Sequence, residues 1–251
     1  MRCLDDQLVY AVGDIHGRLD LLNVLIAELK QDLVREGKPG VFILLGDYID
    51  RGPDSRGVVE RVLCLVKETW VQALPLRGNH EQLLLDFIEQ PENGSNWFAL
   101  GGAATLASYG VPAQGRGPTR KDWVSVRDRL VECMPRAHRS LLGNLPFCVT
   151  AGDYFFVHAG VRRGRPLNAQ RRTDMLWIRD SFLKEPTLGF GKVIVHGHST
   201  SIDPMIERER IGIDTGAYAT GVLTCLRLDG DRRDLISAES GGVSFTPLPV
   251  A

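Results

Sequence analysis

At 251 residues, with 43% hydrophobic and 24% charged side chains, the chain has the makeup of a globular protein with a substantial core. A net charge of -1 excludes a general electrostatic pull toward nucleic acid or an anionic membrane, so any recognition of phosphate has to be local. The start, residues 1–7, is polar and reads as no targeting segment, no apolar run approaches the roughly 20 residues of a membrane span, and five scattered cysteines without a C-x-x-C pair suit a reduced, cytoplasmic setting.

The first third alternates strands and helices. Residues 8–12 form a short apolar run, followed by Leu22, Leu25, Ile26, Leu29 and Leu33 at helical spacing and a stop at Pro39-Gly40. Residues 41–45 predict a second strand, and Val58, Val59, Val62, Leu63 and Val66 the apolar face of a second helix. Residues 71–76 and 81–88 predict a third strand and a third helix. This β-α-β-α-β-α order predicts a largely parallel sheet. Residues 94–120, rich in glycine and alanine, read as an insertion with short helices, and residues 122–142 as helical again. The remainder predicts strands at 147–150 and 154–157, paired as a hairpin, then at 193–195, 210–213 and 222–228, with weaker ones at 235–238 and 243–245. These late strands predict a second, more antiparallel sheet packed on the first, in a single domain spanning residues 1–251.

The strand ends carry the chemistry. The first three run into Gly13-Asp14-Ile15-His16-Gly17, into Gly46-Asp47-Tyr48-Ile49-Asp50-Arg51-Gly52 and into Arg77-Gly78-Asn79-His80-Glu81. Two later strands end in His158 and in His196-Gly197-His198, so all histidines but His138 fall at strand ends. Ligands bind beyond the carboxyl ends of parallel strands, so these turns should lie side by side. Asp, Asn and His without thiolate suit manganese, iron or zinc better than calcium.

These blocks resemble the PPP protein phosphatases among the calcineurin-like metallophosphoesterases, whose pattern is G-D-x-H-G, G-D-x-x-D-R-G and G-N-H-E followed by two later histidines. All three blocks match in full, and the overall length is similar to that of the small bacterial and phage members. The resemblance implies an α/β fold, a β-sandwich of two mixed sheets flanked by helices. It implies two divalent ions, manganese foremost with iron or zinc as alternatives. Asp14, His16 and Asp47 would hold one ion, and Asp47, Asn79, His158 and His198 the other. Arg51 and Arg179 would bind the phosphoryl group, with Arg77 a third candidate.

The mechanism so implied is direct attack on phosphorus by a water bridging the two ions, with His80 as general acid and Asp50 as its hydrogen-bond partner. The expected substrate is a phosphorylated protein or peptide, at phosphoserine or phosphothreonine and within reach at phosphotyrosine. A dinucleoside polyphosphate, split as by a symmetrical tetraphosphatase, is the alternative; Asp50 and Glu81 argue against it. A non-catalytic phosphopeptide-binding module is a remote second class, since no ligand or acid is missing. Trp97, Phe98, Tyr109 and Tyr218 are candidates for the rim of the substrate pocket. The basic clusters at Arg162-Arg163-Gly164-Arg165 and Arg171-Arg172 are too short for a nucleic-acid track and read as solvated loops.

Overall fold

The computed structural model describes residues 2–4, 6–111 and 120–249. Strands β1 (Leu8–Val12), β2 (Gly40–Leu44) and β3 (Val71–Pro75) alternate with helices α1 (Leu19–Glu36), α2 (Ser55–Lys67) and α3 (Asn79–Glu89), and β1–β2 and β2–β3 pair in parallel. Both faces of this sheet are covered. Leu8, Tyr10, Val12, Phe42 and Leu44 pack with the helices, while Val9, Ala11, Val41 and Ile43 pack against a second sheet. The uninterrupted apolar runs follow from that double burial. Helix α2 starts where the Asp54 carboxylate accepts the Gly57 N–H at 2.7 Å.

Short helical pieces follow α3. They are α4 (Gly94–Trp97), a π-helical stretch at Phe98–Gly102 and α5 (Ala103–Ser108). The end of the expected insertion, residues 112–119, lies outside the described residues. The helical stretch expected over 122–142 consists of two helices, α6 (Arg120–Cys133) and α7 (Arg136–Gly143). Pro135 separates them at φ -53° and ψ 141°; it has no N–H to continue the ladder.

The second sheet contains β4 (Cys148–Ala151), β5 (Tyr154–Val157), β6 (Val193–His196), β7 (Met205–Ile206) and β8 (Arg210–Gly212) in the order β4-β5-β6-β8-β7. Its centre, β5-β6-β8, is parallel, and the 148–157 hairpin forms as expected. Helices α8 (Arg172–Trp177) and α9 (Asp180–Leu183) lie between β5 and β6, and α10 (Ala217–Thr220) follows β8.

The last strands correct the sequence reading. β9 (Leu223–Asp229), β10 (Arg232–Glu239) and β11 (Gly242–Pro247) complete the first sheet, in the order β11-β10-β9-β1-β2-β3. β9 runs antiparallel to β1. Without it, one edge of the wholly buried β1 would leave backbone groups unpaired inside the sandwich. The two sheets thus form an α/β sandwich with helices outside. No helix among the described residues is long and apolar enough to cross a membrane.

A buried ion network ties these late strands to α1. Arg227 donates from Nε to Asp32 at 2.7 Å, from Nη1 to Asp234 at 3.1 Å and from Nη2 to Glu36 at 3.0 Å. The Tyr10 hydroxyl adds a 2.6 Å bond to Asp32. Arg227→Ala strands a buried carboxylate and is expected to destabilise the fold by about 3–5 kcal/mol; an unchanged urea midpoint would contradict this. Burial pushes the Asp32 pKa up, but hydrogen bonds from Tyr10, Arg227 and Arg35 outweigh it and leave it below the ordinary 3.8. A depressed folded-state pKa stabilises above the unfolded value and is lost as pH falls through the folded one. The stability gap between wild type and Asp32→Asn is therefore expected to be full at about pH 6 and to shrink below about pH 4, read from urea midpoints across that range.

Candidate active site

The ends of β1, β2, β3, β5 and β6 meet in one buried cluster. Among the described residues, the non-glycine positions with positive φ are His16 (45°), Asp47 (53°), Asp50 (72°), Arg51 (64°) and His198 (61°), and all five lie here. Such backbone costs of order 1–3 kcal/mol per residue and persists only where neighbours over-determine it. Glu81 is one such brace. Its buried carboxylate accepts the backbone N–H groups of Asp47 and Tyr48 at 2.8 Å and of Gly78 at 2.9 Å. A β-carbon on Gly78 would lie 2.1 Å from Asp47 Oδ1, so only glycine lets the third turn close on the second.

Asp47 stands between two groups of metal-type donors. His16, Asp47 and His80 form one, and Asp47, His158 and His198 the other; within each, the donor atoms lie within 4.8 Å of one another. His16 Nε2 is 3.5 Å from Asp47 Oδ2, and His158 Nε2 is 3.5 Å from Asp47 Oδ1. Asn79 Oδ1 sits 2.8 Å from His158 Nε2. Asp14 accepts the His198 N–H at 3.1 Å and 3.3 Å.

The donor set fits divalent cations. His16 and His158 turn Nδ1 to the carbonyls of Ile49 (2.7 Å) and Leu45 (2.9 Å), which makes Nδ1 the protonated nitrogen and leaves the Nε2 lone pairs facing the cluster. His16 Nε2 and His198 Nε2 are buried beside Asp47 and have no hydrogen-bond partner, which leaves both nitrogens available to a cation. Burial holds His16 neutral, its pKa lowered to about 3, and burial together with His158 lowers His198 to about 2. Burial, Asp214 and Asp47 push Asp14 well above the usual carboxylate range. Neutral imidazoles around crowded carboxylates leave a negative excess that a cation would relieve.

His196 does not join the cluster. Its Nδ1 faces the Gly197 carbonyl at 3.0 Å and its ring packs edge-on against Phe182 at 5.0 Å. His80 places Nδ1 2.6 Å from Asp50 Oδ2 and Nε2 3.8 Å from Asp47. Burial opposes a charge on His80, but the Asp47 charge and the bond to Asp50 outweigh it and raise its pKa. Burial likewise raises Asp50, against hydrogen bonds from His80, Thr105 and Trp97.

Of the arginines, Arg51 reaches His80 Nε2 at 3.0 Å and lies over the Tyr218 ring at 4.9 Å. Arg179 is exposed, and its charge helps depress the His198 pKa. Arg77 does not belong with them. Its guanidinium is spent on Gln82 and on the Leu142 and Gly143 carbonyls at the end of α7, so it is withdrawn from the phosphate-binding set.

The expected aromatic rim is also corrected. Trp97 is fully buried with its indole N–H on Asp50, and Tyr109 is buried with its hydroxyl 2.9 Å from His138. The exposed aromatics beside the cluster are Tyr218, 5.4 Å from the His16 ring, and Trp177, 6.0 Å from His198. The sequence does not mark Trp177, because a lone Trp beside apolar residues reads as core. Arg162 and Arg163 pair with Asp174 and Glu185 at 2.6 Å and 3.1 Å, so these two charges are locally balanced.

A model of the calcineurin-like phosphoesterases matches residues 8–229. The chain belongs to the calcineurin-like phosphoesterase family. This phosphoesterase is 38% identical over 96 residues to serine/threonine-protein phosphatase 1 of Salmonella typhimurium, a match that spans 36% of the chain and 40% of that relative. It is 26% identical over 234 residues, 86% of each chain, to the asymmetrical bis(5'-nucleosyl)-tetraphosphatase PrpE of Oceanobacillus iheyensis. A cold-active protein-tyrosine phosphatase of a Shewanella species shares its fold, at a TM-score of 0.57 and 17% identity over 99% of this chain and 83% of that one.

Removing the shared carboxylate should affect both donor groups. Asp47→Asn is expected to lose divalent-ion occupancy, measured by metal analysis after desalting, and two fully bound ions would contradict its place between them. His198→Gln is expected to lower occupancy where His196→Gln does not; equal losses would remove the distinction between the two histidines.

Proposed function

We propose that this protein is a two-metal phosphomonoester hydrolase that acts on phosphorylated proteins, at phosphoserine and phosphothreonine, with phosphotyrosine within its reach. The observation that carries the reading is the sharing of Asp47 by two buried donor groups beside the Asp50–His80 pair. The names of the Salmonella relative and the Shewanella structure support a protein substrate. In the proposed assignment Asp14, His16 and Asp47 hold one ion, and Asp47, Asn79, His158 and His198 the other. Manganese is the proposed metal, with iron or zinc as alternatives, and the cytoplasm is the proposed setting.

When bound, the two ions would supply an activated water for attack on phosphorus and would neutralise charge on the phosphoryl oxygens. The rest falls to the chain. Arg51 and Arg179 bind the remaining phosphoryl oxygens through paired N–H groups, which a point-charge lysine could not match. His80 delivers a proton from Nε2 to the leaving oxygen. Asp50 fixes the ring through Nδ1 and stabilises the imidazolium. His80 is assigned as acid because Asp50 holds Nδ1 at 2.6 Å and the Asp47 carboxylate lies 3.8 Å from Nε2, and these two carboxylates favour the imidazolium. A second reading, hydrolysis of dinucleoside polyphosphates, is favoured by the similarity to PrpE along 86% of both chains and uses the same site.

The deciding experiment compares phosphate release by the manganese-loaded protein from phosphoserine, phosphothreonine and phosphotyrosine peptides with the splitting of diadenosine tetraphosphate. Faster release from a peptide is expected; faster splitting of the dinucleotide would overturn the protein-phosphatase reading. His80→Asn is expected to slow peptide turnover on the order of 10²–10⁴-fold while keeping both ions. Near-normal turnover of a peptide with a poor leaving group would remove the acid role.

A further inference from the structure

Asp50 and Arg51 are consecutive residues at φ 72° and 64°. Two such residues in a row hold only under outside constraint, and most of that constraint comes from the short helices after α3. Thr105 Oγ1 accepts the Asp50 N–H at 2.9 Å and donates to Asp50 Oδ1 at 2.6 Å. Trp97 Nε1 donates to the same carboxylate, 2.9 Å from Oδ2 and 3.1 Å from Oδ1. Ser55 Oγ supports both ends, 3.0 Å from the Asp50 nitrogen and 3.0 Å from Thr105 Oγ1. Gly101 accepts the Arg51 N–H through its carbonyl at 3.2 Å.

The segment is shaped for this contact. Gly101 breaks the helical run at φ 117°, and a β-carbon there would lie 2.7 Å from Arg51 Cγ and 2.9 Å from its nitrogen. A β-carbon on Gly102 would lie 2.6 Å from the Trp97 ring, so the indole also needs a glycine beside it. The spacing Trp97, Gly101, Gly102, Thr105 therefore presents one indole N–H, one carbonyl and one hydroxyl to the Asp50-Arg51 pair. The buried carboxylate receives donors from His80, Trp97 and Thr105. Each donor lost would leave it free to rotate away from His80 Nδ1 or to take a proton itself.

We infer that Trp97 and Thr105 are positioning residues for the Asp50–His80 pair, and that residues 94–111 form a clamp on the proton donor and on Arg51. This inference rests on the reading of His80 as the general acid.

The test is a leaving-group series, phenyl phosphate against 4-nitrophenyl phosphate, with the manganese-loaded protein. A general acid matters most for the poorer leaving group. Thr105→Val and Trp97→Phe are expected to lower kcat for phenyl phosphate by about 10–100-fold, the usual loss when a supporting shell is removed. KM and the 4-nitrophenyl rate should move much less. Thr105→Ser, which keeps the hydroxyl, should restore the phenyl rate. In the metal-free protein, the downfield imidazole N–H proton resonance of His80, assigned by its loss in His80→Asn, is expected to move or exchange away in both variants. The two variants remove different donors, so if one fails to fold the other decides. Equal slowing of both phosphates, or an unchanged phenyl rate, would overturn the clamp. His80→Asn separates the two claims: if it does not penalise the phenyl ester selectively, the acid reading itself falls. If it does and Thr105→Val and Trp97→Phe do not, the clamp alone falls.

Discussion

The structure turns on one carboxylate. Asp47 lies between two sets of imidazoles, with Oδ2 toward His16 and His80 and Oδ1 toward His158. To put it there, the chain leaves β2 through a left-handed residue at φ 53°. That conformation depends on Glu81, the third residue of α3, whose carboxylate accepts the backbone N–H groups of Asp47, Tyr48 and Gly78. Gly78 completes the arrangement by leaving no side chain between the two turns. Strain at the site is thus balanced by hydrogen bonds from a neighbouring strand end.

The two sheets make this possible. Three donor turns come from the parallel half of the first sheet, and His158 and His198 come from the parallel centre of the second. Packed face to face, the sheets bring strand ends distant in sequence within hydrogen-bond range. Burial then does the electrostatic work. It keeps His16 and His198 neutral and their Nε2 atoms without partners, while Asp14 and Asp47 crowd the same space. The chemistry expected of a calcineurin-like phosphoesterase needs this surplus of lone pairs and negative charge.

The short helices after α3 change meaning once the fold is known. From sequence alone, their aromatic residues in a glycine-rich insertion suggest a pocket rim. Their polar atoms instead point inward, to Asp50 and Arg51. The exposed aromatics beside the cluster come from α8 and α10, at Trp177, which the local sequence does not mark, and at Tyr218, the one rim candidate that stays at the surface there.

What the sequence determined by itself is local. The apolar runs at 8–12 and 41–45 and the helical stripe from Leu22 to Leu33 define the first elements, because periodicity reports which faces are buried. The Gly-Asp and Gly-Asn-His turns mark the donors, because sharp turns off strands and oxygen or nitrogen ligands each restrict residue type. Tertiary structure decided whatever depends on partners distant in the chain. Alternation in 222–228 shows a strand but not its neighbour, so β9 pairs with β1 and not with the second sheet. His196 and His198 are two residues apart and chemically identical, and only packing turns one against Phe182 and the other toward Asp47. Arg77 borders the third motif yet spends its charge on the end of α7, and Thr105 reaches Asp50 across 55 residues. Such contacts are set by side-chain direction in a folded interior, which neither composition nor spacing encodes.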